Sequence, residues 1–518
     1  MRFTRSAAGA ALTVAALSTA QLLTAAPAAA DPDYASVTSQ GRELRMLCEA
    51  RQYDPGTGGA TGTRSDFDGN GFEDVLTGAR DEHTGGRIAV VLINQLNLGA
   101  ASCVFYGTTA ADSVSAYASG DLDNDGFDDL ILGQSGQNDA AGGIWVVPGA
   151  PTGFDLAAGE YLDEDTDAFP GVRNPGDALG ATLATGDVNH DGYADLAVAS
   201  TGEQFGSVPN AGAVAVLYGS ASGLTTTGAQ RFHTALAGVP GDPVAPGERF
   251  GRALAIGDVT GDGYGDLAVG TGAAGGQIYL FDGSATGVTT AGVDLLESSF
   301  LNTSTLIVHG FGDRVAIGDV TGDSHADVIA GMPDADVKGL AAAGAAISFT
   351  GKASGIGLAD RQVLRQGAAG IPGTPAAGDH FGYAVTTGDT TGDGHPDLII
   401  GVPGEDIDVR TDAGIVDVLP HNSVLGTGSS FLSKSTLGVG SMAADAFGSW
   451  LTVLDRVNNG GQLDLVVSEP GTSIPSIAPT GGVEMLFGFV GEQRANEGYG
   501  AWLITTPAEM ALRNFGIA

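Results

Sequence analysis

Basic residues are scarce in this sequence: 22 Lys and Arg stand against 61 Asp and Glu, a formal net charge of −39 at pH 7. A chain this acidic repels phosphate backbones and anionic bilayers, which argues against nucleic acid or anionic membrane as partners. Cysteine is scarcer still, with only Cys48 and Cys103. In an exported protein such a pair is expected to be bridged, provided the backbone geometry allows it. After the N-terminal segment, no apolar run approaches the roughly 20 residues that span a bilayer. Neither HExxH nor GxSxG occurs, so zinc-protease and serine-hydrolase readings lack their usual anchors.

What is present begins with an export signal. Residues 1–30 carry two arginines, an apolar stretch and Ala28-Ala29-Ala30 before an acidic residue. This is the pattern of a secretory signal peptide cut after Ala30, with no cysteine near the cut to take a lipid. The expectation is a secreted, extracellular and monomeric protein made of one domain, residues 31–518.

The dominant feature of that domain is a repeated acidic loop. In "GDVTGDGYGDLAVG", residues 257–270, oxygen-bearing groups fall at positions 1, 3, 5, 7 and 9 counted from Asp258. Hard oxygens at this spacing suit calcium, which takes 6 to 8 of them at about 2.3 to 2.6 Å. The glycine at position 6 supplies a sharp turn, as in an EF-hand. An EF-hand would continue to a glutamate and a helix, whereas here a short apolar strand follows.

A single copy could be a solvated turn, because Asp and Gly are ordinary turn residues. Six copies change the balance. Position 1 is Asp66, Asp121, Asp187, Asp258, Asp319 and Asp389; position 3 is Asp68, Asp123, Asn189, Thr260, Thr321 and Thr391. Position 5 is Asn70, Asp125, Asp191, Asp262, Asp323 and Asp393. Position 7, through its carbonyl, is Phe72, Phe127, Tyr193, Tyr264, His325 and His395. Position 9 is Asp74, Asp129, Asp195, Asp266, Asp327 and Asp397. Up to six calcium ions are expected. Ser324 replaces the position 6 glycine of the fifth loop, where a left-handed backbone would strain it. A worn seventh copy, "DRVNNGGQLD" from Asp455 to Asp464, lacks acids in its middle and is not expected to hold metal well.

The loops recur every 55 to 71 residues. A glycine-led strand such as "AGAVAVLYG", "GGQIYLFDG" or "AGIVDVLP" recurs seven times with them. Each unit reads as a strand, the loop, a second strand, the glycine-led strand and a fainter fourth. Seven four-stranded sheets arranged radially make an all-β, seven-bladed β-propeller, which leaves only short protected edges.

"RFG…GDVTGDGYGDLAVG", "HFG…GDTTGDGHPDLIIGVP" and "GFG…GDVTGDSHADVIAGMP" resemble the FG-GAP repeat of the integrin α-subunit head. The resemblance covers nearly all of the chain after about residue 60. It implies a seven-bladed propeller with calcium loops and a ligand surface on the face away from them. The chain departs from the pattern in having no clear FG pair before Asp66 or Asp121, and Leu179-Gly180 in the third unit.

Two functional readings follow. The first is a secreted, calcium-stabilised binding or adhesion module for protein or glycan. The second is an exported hydrolase or lyase with acids at the central channel, for which no catalytic motif stands out. At the C-terminus, Tyr499 to Thr506 imitates the opening strand of a further unit. It is expected to pair with an N- or C-terminal blade and latch the ring, with a Cys48–Cys103 bridge on the other side of the seam.

Overall fold

The computed structural model describes residues 35–48, 66–69, 73–80, 87–93, 101–107, 109–151, 153–241, 244–272, 275–368, 370–437, 441–454, 464–469, 482–486 and 502–505. The signal-type segment 1–30 and most of the worn loop, 455–463, lie outside them. The chain is all-β, and most of its larger sheets are antiparallel with four strands in sequence order. The fourth unit is typical: Ala253–Gly257, Asp266–Gly270, Gln277–Phe281 and Asp294–Glu297 lie side by side. These are the strands expected from "RALAIG", "DLAVG" and "GGQIYLFDG". Their apolar residues are buried on both faces, which is why the middle strands read as continuous apolar runs rather than alternating ones.

The opening strands of successive sheets touch in series. Ala116–Gly120, Leu179–Gly186, Ala253–Gly257, Arg314–Gly318, Ala384–Gly388 and Leu451–Leu454 each contact the next. Glycines at their ends make this approach possible. A Cβ on Gly257 would lie 2.5 Å from Ile317 of the following opening strand. The two ends of the series also meet: the rings of Tyr117 and Trp450 pack edge to face with centroids 6.2 Å apart.

Neighbouring sheets share their cores. Phe232, Phe250, Tyr279 and Phe281, from the third and fourth units, are buried in one cluster with Val214 and Val269. Each such side chain contributes about 1.5 to 3 kcal/mol when removed from water. The FG pair is the fastener. Phe250, Phe311, Phe381 and Phe447 are fully buried, and the following glycine has φ between 86° and 94°. At Gly312 a side chain is excluded by space as well, since its Cβ would sit 2.5 Å from the carbonyl oxygen of Gln277. Leu179-Gly180 fills the same place in the third unit, with Leu179 buried and Gly180 at φ 81°.

Both ends of the chain depart from the expected pattern. The first sheet has five strands, not four: Ala35–Ser39, Arg42–Cys48, Ala101–Tyr106, Arg87–Ile93 and Val75–Arg80, in that spatial order. An N-terminal hairpin thus adds to its edge. It places Cys48 directly opposite Cys103, and Cys103 is disulfide-bonded. This cysteine pair sits where the N-terminal segment meets the first unit. The C-terminal Trp502–Thr505 pairs with Gly482–Leu486 as the outermost strand of the last sheet. It pairs with the C-terminal unit, as expected, but as the fourth strand of that unit rather than as the opening strand of another.

Candidate metal centres

Five of the acidic loops are hairpin connections closed by one recurring pairing. The glycine that ends the opening strand pairs with the position 9 aspartate that begins the next: Gly120 with Asp129, Gly186 with Asp195, Gly257 with Asp266, Gly318 with Asp327 and Gly388 with Asp397. Within the loop the carboxylates organise the backbone. The Asp258 carboxylate accepts from the amides of Asp262 (3.0 Å) and Gly263 (2.9 Å), and Asp262 accepts from Tyr264 (3.0 Å). The same wrapping recurs around Asp121, Asp187, Asp319 and Asp389. Phe127, Tyr193, His325 and His395 donate their amides to position 5 in the same way.

In each of the loops beginning at Asp121, Asp187, Asp258, Asp319 and Asp389, two residues are left-handed. Position 6 has φ near 90° at Gly126, Gly192, Gly263 and Gly394. Ser324 is forced into the same region at φ 72°. Position 4 is the second such place, and sequence reasoning overlooked it: Asn124 and His190 adopt φ 57° and 56° there. Replacing Ser324 with glycine is expected to stabilise the protein by about 1 kcal/mol through relief of this strain. Thermal unfolding of Ser324→Gly at saturating calcium checks it, and an unchanged or lower melting temperature would contradict the strain argument.

The position 9 aspartates do more than the ligand pattern suggests. Asp266 is fully buried; its Oδ2 accepts from Val259 and Thr260 (both 2.9 Å), and its Oδ1 from Gly283 at the end of the third strand (2.9 Å). Asp129, Asp195, Asp327 and Asp397 make the equivalent pair of links, to Leu122 and Gly149, Val188 and Gly219, Val320 and Gly351, and Thr390 and His421. Asp74 likewise accepts from Phe67 (3.0 Å). One carboxylate thus holds the start of its loop to the next connection on the same end of the sheet.

The first loop brings Asp66, Asp68 and Asp74 together, all buried, with carboxylate oxygens within 4.8 Å of one another. Asn70 and Phe72 lie outside the described residues. The second loop groups Asp121, Asp123 and Asp125 in the same way. Among the described residues, the loops beginning at Asp187, Asp258, Asp319 and Asp389 show no three acids this close. In two of them position 3 turns inward, since the hydroxyls of Thr321 and Thr391 donate to Asp327 (3.2 Å) and Asp397 (3.3 Å). Asn189 spans to Asp191 (2.9 Å), whereas the buried hydroxyl of Thr260 has no partner.

Burial and mutual repulsion disfavour the charged form of several loop carboxylates. Burial pushes the Asp129 carboxyl up to about 8, with Asp123 and Asp125 adding repulsion. Burial raises Asp195 to about 7 and Asp266 and Asp327 to about 6. Asp121 and Asp123 are raised as well, again chiefly by burial. An all-oxygen donor set, mutually repelling carboxylates and the unpartnered Thr260 hydroxyl together fit a hard divalent cation.

The loops are also joined from unit to unit. The position 8 amides of Asp128, Ala194, Gly265 and Ala326 donate to the position 1 carbonyls of Asp66, Asp121, Asp187 and Asp258, all at 2.9 to 3.0 Å. Pro396 has no amide to continue the series, and the link there is made by the amide of Asn422 to the carbonyl of Val320 (3.0 Å). His421 was not anticipated from sequence. Its ring packs 4.3 Å from that of His395, and its Nδ1 lies 2.8 Å from Asp393 Oδ2.

Repeated antiparallel sheets, fastened by a buried Phe-Gly pair and joined by acidic loops, define a class of repeat protein. Comparison with known proteins agrees: the FG-GAP repeat profile matches residues 179–217, 250–281 and 381–419. Integrin alpha-PS2 of Drosophila melanogaster is 31% identical over 258 residues, covering 47% of this chain and 17% of that protein. Integrin alpha pat-2 of Caenorhabditis briggsae is 31% identical over 45% of this chain and 18% of its own length. The phosphatidylinositol-glycan-specific phospholipase D of Bos taurus is 30% identical over 190 residues, 34% of this chain and 20% of that protein. The matches span about a fifth or less of each relative. The chain carries segments that match the FG-GAP repeat and is similar over part of its length to integrin α-subunits.

Proposed function

We propose that residues 31–518 form a secreted, seven-bladed β-propeller, stabilised by calcium in up to six acidic loops, that acts as a binding or adhesion module for protein or glycan. The ligand is placed on the face opposite the loops. The observation that carries this reading is the division of labour between the two ends of the sheets. The loops occupy the end where first and second strands connect. At the other end lie the connections between second and third strands and between units, which vary in length and expose large apolar side chains. Val409 is 93% exposed, Val172 71%, Phe300 61% and Ile307 49%. Val424, at the loop end, is also 61% exposed, so exposure alone does not mark this face. Its longer, more variable connections do, because recognition residues concentrate in such segments. Tyr117 against Trp450 supports closure of the ring, and the opposed positions of Cys48 and Cys103 support a bridge between them.

The enzyme alternative draws on the partial likeness to phosphatidylinositol-glycan-specific phospholipase D. Probing glycan and protein arrays in millimolar calcium, beside a hydrolase panel, separates the readings. Binding is expected, and Val172→Asp with Val409→Asp is expected to weaken it tenfold or more without changing the melting temperature. Substrate turnover without array binding would favour the enzyme.

A further inference from the structure

A second acidic centre lies at the end of the sheets away from the loops, between the second and third units. Its significance comes from comparing equivalent places around the molecule. The outer strands end in register: Leu162, Phe232, Leu296, Leu364 and Leu432 pair with Ile144, Val214, Ile278, Ala346 and Val416. Two residues further on stand Glu164, Thr234, Ser298, Gln366 and Lys434. Four of these five can donate a hydrogen bond; Glu164, when ionised, cannot.

The donors serve buried acids. Thr234 Oγ1 donates to Glu248 (3.1 Å), and the Lys434 ammonium meets Asp445 (3.1 Å). Gln366 donates to Glu405 (2.6 Å), with Asp379 close enough to repel that carboxylate. Glu248, Asp379 and Asp445 each stand two residues before an FG pair, and Asp177 holds that position before Leu179-Gly180. Glu203 and Glu405 are also equivalent, each eight residues after the aspartate that opens its strand. The trio Glu164, Asp177 and Glu203 therefore corresponds to Gln366, Asp379 and Glu405, with an acid in place of the amide that bonds to one of its neighbours.

The geometry leaves this trio short of positive charge. Its carboxylate oxygens lie within 4.8 Å of one another, and the three residues are only 8%, 1% and 4% exposed. Glu164 Oε2 and Glu203 Oε2 are enclosed and accept no hydrogen bond. Ser200 Oγ reaches Glu164 Oε1 at 3.5 Å, the Asn174 amide caps Asp177, and Arg231 Nη2 lies 2.7 Å from Glu203 Oε1. Beyond Arg231, His233 adds no charge, since burial and the neighbouring guanidinium hold its pKa down at about 4. Arg173 is engaged by Asp165 (2.8 Å). With all three ionised, three carboxylates against one guanidinium leave two negative charges without a counterion, in a place where unpaired charge is costly. Burial and the two neighbouring acids accordingly push the Glu164 carboxyl up to about 8.

We propose that Glu164, Asp177 and Glu203 form a buried site for a hard divalent cation of the calcium type, separate from the acidic loops and built at the junction of two units. One such ion balances the excess charge and supplies the partner that the two orphaned oxygens lack. It would tie the second unit to the third where Thr234, Gln366 and Lys434 use a side-chain donor.

Ion counting by native mass spectrometry tests this on the full chain. Glu164→Gln recreates the Gln366 arrangement. The variant is expected to bind one calcium ion fewer than the unchanged protein at saturation, and to melt higher than it in chelator. Equal ion counts would overturn the proposal and leave a shared proton as what neutralises the trio. Terbium-soaked crystals of the unchanged protein provide a test that does not need the variant to fold. An anomalous peak beside Glu164 and Glu203 is expected; peaks at the loops with none here would sink this site alone. A peak here with none at the loops would uphold it and remove the loop reading.

Discussion

Stripping calcium from the protein is expected to lower its thermal unfolding midpoint sharply. With free calcium tenfold above a dissociation constant of about 10⁻⁴ to 10⁻³ M, each occupied loop contributes about 1.4 kcal/mol. Several loops acting together make this a large fraction of ordinary domain stability. The loop carboxylates also set a pH dependence. Their folded-state pKa values are raised from 3.8 to about 6 at Asp266 and Asp327, about 7 at Asp195 and about 8 at Asp129. A carboxyl raised on folding adds stability below its unfolded pKa and loses it as pH climbs through the folded value. The chelated protein is thus expected to weaken between about pH 4 and 8, and calcium, by favouring the charged form, to flatten that decline. Melting curves with and without chelator at several pH values check both points. Identical midpoints with and without calcium would show that the loops are solvated turns.

Replacing Lys434 with methionine is expected to be the most damaging single change away from the loops. The Lys434–Asp445 pair is almost wholly enclosed, at 2% and 0% exposure. Its net value against a well-packed apolar pair is small, because both charges lose their water. Removing only the lysine is different. It leaves Asp445 buried with the Met442 amide as a neutral donor, and breaking such a pair costs about 3 to 5 kcal/mol. Urea unfolding of Lys434→Met should show this loss, and adding Asp445→Asn should recover much of it. A double variant no more stable than the single one would mean that lysine acts through its packing rather than its charge.

Much of the architecture was legible beforehand because the repeat is written redundantly. An apolar strand, an acidic hairpin connection and a glycine-led strand recur with enough copies to outweigh local ambiguity. Strands such as Asp266–Gly270 and Ala213–Tyr218 stand where their apolar runs predicted them. The left-handed backbone at Ser324 was foreseeable for the same reason, since the other copies have glycine there. Position 9 was read only as a ligand. Its second role, accepting amides from both its loop and the following connection, depends on a partner some twenty residues away, at Gly283 for Asp266.

What the sequence determined by itself is therefore local and periodic: strand type, hairpin chemistry, the need for glycine at sharp turns, and the number of times the unit is written. Short apolar strand runs, turn residues and oxygen spacing are properties of short segments, so they can be read without knowing the neighbours. Only the tertiary structure decided the rest. It assigned the N-terminal hairpin and Trp502–Thr505 to sheet edges, because edge pairing is a choice among several exposed strands that local pattern does not rank. It also brought Glu164 and Asp177 together with Glu203 from two separate connections. The energy of such a cluster lies in distances across a junction between units, and no spacing along the chain records it.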